Sequence, residues 1–162
     1  MIINFKKRFL SALEESKHRI LKIRGNPKEI ALGFGLGLFV GYTPTMGFQM
    51  AIAVFFATLF NWNKISAAAA VWITNPLTAP FLYWINYVVG AKLLGMTQSV
   101  SIKNLGTLPG LLELIKTAPD IFLALTVGGV VIGLPLAILG YYLSLSAILK
   151  YRAQIQALKI KH

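Results

Sequence analysis

The chain has 162 residues, about the length of one domain; 56% of them are apolar and only 13% are charged. A soluble domain carries about a quarter charged residues, so this composition largely excludes an ordinary soluble enzyme and a disordered chain. The absence of cysteine excludes a disulfide framework, thiolate metal ligands and a cysteine nucleophile. The net charge of +11 would favour nucleic acid as the partner of a soluble protein, so the position of the charges decides the class.

The charged side chains are concentrated at the two ends of the chain. Most of the lysines and arginines precede residue 29 or follow residue 149. Three stretches contain no charged residue, those between Glu29 and Lys64, between Lys64 and Lys92, and between Asp120 and Lys150. Each is longer than the roughly 20 residues that cross a bilayer core of about 30 Å. The pattern predicts an all-α, multi-pass membrane protein and disfavours a nucleic-acid binder.

Residues 1–26 predict a basic amphipathic helix that lies before the membrane domain. Apolar residues recur at steps of three and four between lysines and arginines, at Phe5, Phe9, Leu13, Ile20 and Ile23. Such a helix can lie in the headgroup layer with its basic face on anionic lipid; the alternative is a soluble cap packed on the membrane domain. Gly25 ends it, and Asn26 with Pro27 predicts the start of the next helix.

Two of the uncharged stretches in the membrane domain, residues 27–149, are interrupted by threonine and proline. The first break covers residues 42–47 and the second covers residues 74–80. The apolar run before the first break, residues 30–41, reaches only about half way across a bilayer core as a helix. We therefore expect two interrupted helical hairpins of the re-entrant type; ordinary proline kinks in spanning helices are the alternative.

The C-terminal part of the chain predicts one spanning helix over residues 121–149, followed by a basic tail, residues 150–162. Residues 111–115 suggest a short interfacial helix that ends before Pro119. Because lysine and arginine near membrane ends favour the cytoplasm, we expect both termini on the cytoplasmic side of a bacterial inner membrane. That requires an even number of crossings.

The two breaks are the candidate binding site. Helices predicted to start at Thr43 with Pro44, and at Asn75 with Pro76 or Ala79 with Pro80, would direct free N–H groups and positive dipole ends into the breaks. Such an arrangement can bind an anion without a charged side chain. The candidate substrate-binding residues are Thr43, Pro44, Thr45, Gln49, Asn75, Pro76 and Thr78. Gln49 and Asn75 can equally serve to bond neighbouring helices together, and for Asn86, a third polar residue in an apolar stretch, this structural role is favoured.

Glycines at four-residue spacing predict a close helix contact. Gly33, Gly37 and Gly41 leave one helix face without side chains, and Ser66, Ala70 and Thr74 form a second stripe of small residues. The contact can form within the chain or between copies in a homo-oligomer.

Catalysis finds little support in the sequence. Asp120 is the only aspartate, and His18 and His162 are the only histidines. No catalytic triad, paired core carboxylates, metal cluster or nucleotide loop can be drawn from these residues. We therefore expect no enzyme activity, no metal and no cofactor.

Residues 30–94 resemble a bacterial membrane family, the one numbered 2062 among the domains of unknown function. The resemblance is carried by residues 31–41 and by Pro27, Pro44, Gly47, Gln49, Asn63, Asn75, Pro76, Leu77, Thr78, Pro80, Tyr83 and Gly90. Other members often have Leu-Pro at the first break, where this chain has Thr43-Pro44. The resemblance implies a bacterial inner-membrane protein, fused in some relatives to envelope glycosyltransferase-like domains, and it implies no established activity.

Two functions of different classes follow. The first is a carrier or translocator of an anionic, lipid-linked envelope substrate that binds at the two breaks. The alternative is a scaffold that seats envelope glycosyltransferases or organises a membrane complex. A carrier should keep a solvated polar cavity at the breaks, whereas a scaffold should pack them dry.

Overall fold

A computed structural model describes residues 25–96 and 108–160 of the chain. These residues form five helices: α1 (Pro27–Gly41), α2 (Gln49–Leu59), α3 (Lys64–Val71), α4 (Ala79–Leu93) and α5 (Leu108–Ile160). No strand occurs among them, which confirms the all-α prediction. The predicted amphipathic helix in residues 1–26 lies almost wholly outside the described part of the chain.

Helix α1 begins where its capping residues predict. The side chain of Asn26 accepts a hydrogen bond from the N–H of Lys28 at 3.1 Å, and Pro27 takes the first helical position. Glu29 supplies a negative charge in the first turn, at the positive end of the helix dipole. Gly25 precedes the cap with a φ of +152°, which a residue with a Cβ rarely adopts. The predicted start at Pro27 is confirmed.

Helix α5 is one continuous helix of 53 residues, about 80 Å long at 1.5 Å per residue. It contains Pro119 and Pro135 within its length. The prediction of a separate interfacial helix ending before Pro119 is therefore wrong, and the helix also runs past the predicted boundary at residue 149. Within the described residues, the segment Ile115–Ala157 is the only one long and apolar enough to cross a membrane.

The first break reverses the direction of the chain. The glycine-rich face of α1 lies on α3, where a Cβ built at Gly33 would strike the carbonyl of Asn63 and one at Gly37 that of Ala67. From the first contact to the second, the residue numbers increase on both helices, so α3 runs parallel to α1. Helix α2, which connects them, runs in the opposite direction. The return ends in a turn at Asn61, whose φ is +55°.

Helix α5 passes along α4 and then along α1. Near its N-terminal part, Gly90 on α4 meets Ala124. Farther along α5, a Cβ at Gly35 would lie 3.0 Å from the carbonyl oxygen of Ala137, and the guanidinium of Arg152 donates to the carbonyl of Gly25 at 2.7 Å. Helices α1 and α4 therefore follow one another along α5, both antiparallel to it. The first described residue, Gly25, and Arg152 lie at the same end of the bundle.

The second break does not produce a second hairpin. Helix α4 packs along α5, and α3 and α4 are not a packed pair. The expectation of two hairpins is met only by α1 and α2. The reason lies in α4 itself, whose buried Asn86 and Gly90 share one face that fits the glycine-containing surface of α5.

Small residues fill the interior and large apolar residues cover the outside. The central cluster consists of Val40, Ala53, Ala57, Ala67 and Val71. By contrast Phe48, Trp72 and Leu77 expose 72%, 68% and 83% of their surface. This arrangement is the reverse of a soluble domain, whose large apolar side chains are mostly inside. It is typical of helices that approach closely through small residues and face lipid with large ones.

We predict that Gly37→Leu destabilises the bundle severely, because the new side chain would collide with the backbone of Ala67. Overpacking against a fixed backbone should lower the free energy of unfolding by about 3 kcal/mol or more. The matched control is Ala69→Leu on the exposed side of α3, which should change little. Melting of the detergent-extracted variants measures both, and equal tolerance at the two positions would contradict the α1–α3 contact.

Candidate functional site at the two breaks

The first break lies where α1 ends inside the bundle. The last carbonyl groups of a helix have no partner in the helix itself. The N–H of Tyr42 donates to the carbonyls of Leu38 and Phe39. Both the N–H and the hydroxyl of Thr43 donate to the carbonyl of Val40, and the hydroxyl lies 2.6 Å from that oxygen. The N–H of Thr45 donates to the carbonyl of Thr43 at 2.8 Å, whereas the carbonyls of residues 41 and 42 have no such donor in the turn. All three carbonyls also accept hydrogen bonds from donors elsewhere in the chain.

Three of these donors come from different parts of the chain. The hydroxyl of Thr74, in the second break, donates to the carbonyl of Gly41 at 2.6 Å. The amide of Asn86, on α4, donates to the carbonyl of Tyr42 at 2.8 Å. The amide of Gln49, at the start of α2, donates to the carbonyl of Thr43 at 3.0 Å.

The side-chain amide of Gln49 has several hydrogen-bond partners within the protein. Its side chain is 4% exposed, and its Nε2 also lies 3.3 Å from the carbonyl oxygen of Gly41 and 2.9 Å from the hydroxyl of Tyr83. Tyr83 in turn lies 3.4 Å from the carbonyl oxygen of Thr43. The predicted ligand-binding amide is therefore engaged with the backbone of the break.

The second break is closed by its own side chains. The Oδ1 of Asn75 accepts from the N–H of Leu77 at 2.9 Å and of Thr78 at 3.1 Å. The hydroxyl of Thr78 donates to the carbonyl of Ile73 at 2.7 Å and accepts from the N–H of Asn75 at 3.0 Å. Three of the N–H groups that could have bound an anion here are thus paired within the turn, a common use of asparagine and threonine.

One of the two predicted helix starts differs from the observed one. Helix α2 begins at Gln49, not at Pro44, and its N-cap residue Phe48 supplies no side-chain hydrogen bond. Helix α4 begins at Ala79 with Pro80 in its first turn, which matches one of the two alternatives for the second break. Pro44 instead lies in the loop that follows the C-terminus of α1.

The structure divides the predicted site residues between two cavities. Gln49, Asn75 and Pro76 line a cavity of about 200 Å³ where the two breaks meet, together with Thr74. Thr43, Pro44 and Thr45 line a separate apolar cavity of about 470 Å³ between α1, α2 and α5. The hydroxyls of Thr43 and Thr45 lie 2.8 Å apart and bond to each other. Thr78 lines neither of these two cavities.

Tyr83 and Asn86 complete the site. Tyr83 was not among the candidate site residues, whereas Asn86 was expected to bond neighbouring helices together, as its hydrogen bond to Tyr42 does. They lie three residues apart on the face of α4 that also carries Gly90, so a polar stripe beside a glycine was the available signal. Asn86 is fully buried, and its Oδ1 has no hydrogen-bond partner. A Cβ on Gly128 or Gly129 would strike the backbone of Asn86 or of Tyr42. Asn86 therefore lies in the tightest crossing of the described bundle.

The chemistry of this region is neutral. The described residues within the two breaks carry no charged side chain. No group of three or more histidine, aspartate or glutamate side chains in the described part of the chain could hold a metal ion. The arrangement can hold backbone carbonyls in place, and it leaves a small cavity whose mainly apolar lining includes three polar side chains, Gln49, Thr74 and Asn75.

The fold is thus an all-α bundle in which one helix ends internally and is capped by side chains from three other segments. Residues 10–156 match the family model described as "uncharacterized protein conserved in bacteria (DUF2062)", and the chain belongs to that family. This confirms the resemblance noted in the sequence. No curated protein and no solved structure matches the chain.

We predict that Gln49→Met lowers the free energy of unfolding by about 0.5–1.5 kcal/mol, the usual contribution of a hydrogen bond, because the carbonyl of Thr43 keeps the N–H of Thr45 as a donor. Methionine has nearly the same length but cannot donate to the carbonyl of Thr43. The control is Thr58→Val, because the Thr58 hydroxyl is exposed and donates only within α2. Chemical denaturation in mild detergent measures the difference, and an unchanged Gln49→Met variant would show that the cap is dispensable.

Proposed function

We propose that the chain is a bacterial inner-membrane protein that crosses the bilayer twice. In this placement α3 and α4 form one interrupted crossing, α5 forms the other, and α1 and α2 form a re-entrant hairpin whose tip is the first break. The exposed apolar side chains around the bundle support this placement. So does the position of the charges, since Lys28, Lys64 and Lys150 lie toward one end and Lys92 and Lys116 toward the other.

Both termini lie on the cytoplasmic side in this proposal. Gly25 and Arg152 meet at one end of the bundle, and this end carries the greater number of basic residues. Positive charge near membrane ends favours the cytoplasm. The basic residues before residue 25 would then meet the anionic headgroups of the inner leaflet.

Within that membrane, we propose that the chain is a non-catalytic scaffold. The observation that carries this function is the inward direction of the polar side chains at the breaks. Gln49, Thr74 and Asn86 donate to the carbonyls of the first break, so the interruption is closed by protein. Such a bundle offers a fixed surface to a membrane partner, for which envelope glycosyltransferases are the candidates through the family resemblance.

A carrier of an anionic, lipid-linked envelope substrate is the second candidate. The cavity of about 200 Å³ where the breaks meet favours it, because Gln49, Thr74 and Asn75 contribute polar side chains to its otherwise apolar lining. A phosphate-sized group could enter it. The described chain places no cation there to offset the cost of removing an anion from water, so this function stands second.

Topology gives the first test. Reporter domains fused to the N-terminus and to the C-terminus should both be active on the cytoplasmic side, because the two described ends meet at one end of the bundle. A reporter in the segment 97–107, between α4 and α5, should be active on the periplasmic side. Opposite locations for the two termini would contradict a pair of crossings.

Water access to the breaks separates scaffold from carrier. The chain has no cysteine, so a single Met50→Cys variant, at a residue that lines the small cavity, reports on that position alone. In lipid nanodiscs, which expose both faces, a scaffold should leave this thiol as unreactive toward a charged maleimide as Phe55→Cys on the apolar exterior. Lys64→Cys, at the charged end, is the positive control. Labelling of Met50→Cys at the rate of Lys64→Cys would instead favour the carrier.

A further inference from the structure

A third, larger groove lies between α1 and α5. Its volume is about 570 Å³. It is lined by Phe34 and Leu38 on α1, by Tyr42 at the start of the first break, and on α5 by residues that include Leu136, Leu143 and Ala147. The hydroxyl of Ser144, also in the lining, donates to the carbonyl of Tyr141 in its own helix at 3.0 Å. The groove therefore offers an almost wholly apolar surface.

The length of the groove fits one leaflet of a bilayer. Its lining on α5 extends from Leu136 to Ile148, which corresponds to about 18 Å of helix. Half of a bilayer core is about 15 Å. The groove ends at Ile148, one turn from Arg152, which contacts Gly25. It therefore opens at the end of the bundle that carries both ends of the described chain.

A positive charge follows the apolar lining on the same face of α5. Leu143, Ala147 and Lys150 are separated by four and three residues, so they lie in one row along the helix. Lys150 is exposed. Lys28 and Arg152 lie at the same end, where Glu29 is the acidic residue of the described chain. The groove thus has an apolar wall and a net positive end.

We propose that this groove binds an acidic phospholipid of the cytoplasmic leaflet, with one acyl chain along α1 and α5 and the headgroup phosphate at Lys150. The positive charge at the end of the groove favours an acidic headgroup, and the apolar lining of the groove favours an acyl chain. The basic sequence before residue 25 is a poorer occupant, because burying its lysines and arginines against apolar walls would be costly. The inference rests on the membrane placement proposed above.

Two substitutions separate the chain-binding part from the headgroup-binding part. Ala147→Phe fills the groove from an exposed position and so spares the core, and its control is Ala153→Phe, on another face of α5. Lys150→Gln removes the cation, and its control is Lys92→Gln at the other end of the bundle. The full chain in neutral detergent is titrated with dioleoyl phosphatidylglycerol, dioleoyl phosphatidylcholine or glycerol phosphate. Melting temperature and bound lipid by native mass spectrometry are measured.

Phosphatidylglycerol should raise the melting temperature and remain bound, whereas phosphatidylcholine and glycerol phosphate should do neither. Lys150→Gln should weaken phosphatidylglycerol binding about fivefold, the effect of roughly one lost charge contact, and Ala147→Phe should abolish the shift. Both controls should bind as the unmodified chain does.

Equal shifts from the two phospholipids would overturn the proposal, as would unchanged binding by Ala147→Phe. So would a dimer that forms without lipid and is lost in Ala147→Phe, since a second copy would then occupy the groove. Failure of the membrane placement is distinguishable, because the chain would then be recovered in solution without detergent.

Discussion

The arrangement of the bundle depends on the carbonyl groups at the C-terminus of α1, which have no partner within the helix itself. Because α1 ends inside the bundle, these carbonyls need protein donors, and the donors come from α2, from the second break and from α4. The hydrogen bonds from Thr74 and Asn86 therefore join the end of α1 to segments 33 and 44 residues away, and the bond from Gln49 joins it to the next helix. The same set of contacts closes the hairpin between α1 and α2 and holds the start of α4 beside the first break.

The glycines at the helix contacts are needed for the same hydrogen bonds to form. Side chains as short as those of Thr74 and Asn86 can reach a carbonyl on another helix only if the backbones approach closely. Gly37 on α1 permits this approach to α3, and Gly128 permits it between α4 and α5. Small residues and capping hydrogen bonds thus depend on each other: a Cβ at either glycine would separate the helices, and the donors would no longer reach.

Local patterns in the sequence predicted where helices stop, but not which end of a helix occupies the centre. The cap at Asn26, the two interruptions and the stripes of small residues are all local signals, and each corresponds to a feature of the structure. Thr43 and Pro44 are equally compatible with a helix start and with the loop after a helix end. The structure favours the helix end because Thr74 and Asn86 donate to carbonyls 33 and 44 residues away. No local pattern encodes such distant pairing.

Whether the first break contains a helix start or a helix end matters for function, because the two ends of a helix carry partial charges of opposite sign. A helix C-terminus carries partial negative charge, whereas anions bind at helix N-termini. The first break presents the C-terminus of α1, so an anion there would be repelled by the carbonyls of residues 41–43 unless their donors turned toward it. Gln49 would have to release the carbonyl of Thr43 to do so. Transport of an anion through this site therefore requires a second conformation of the break, whereas a scaffold requires only the one that is observed.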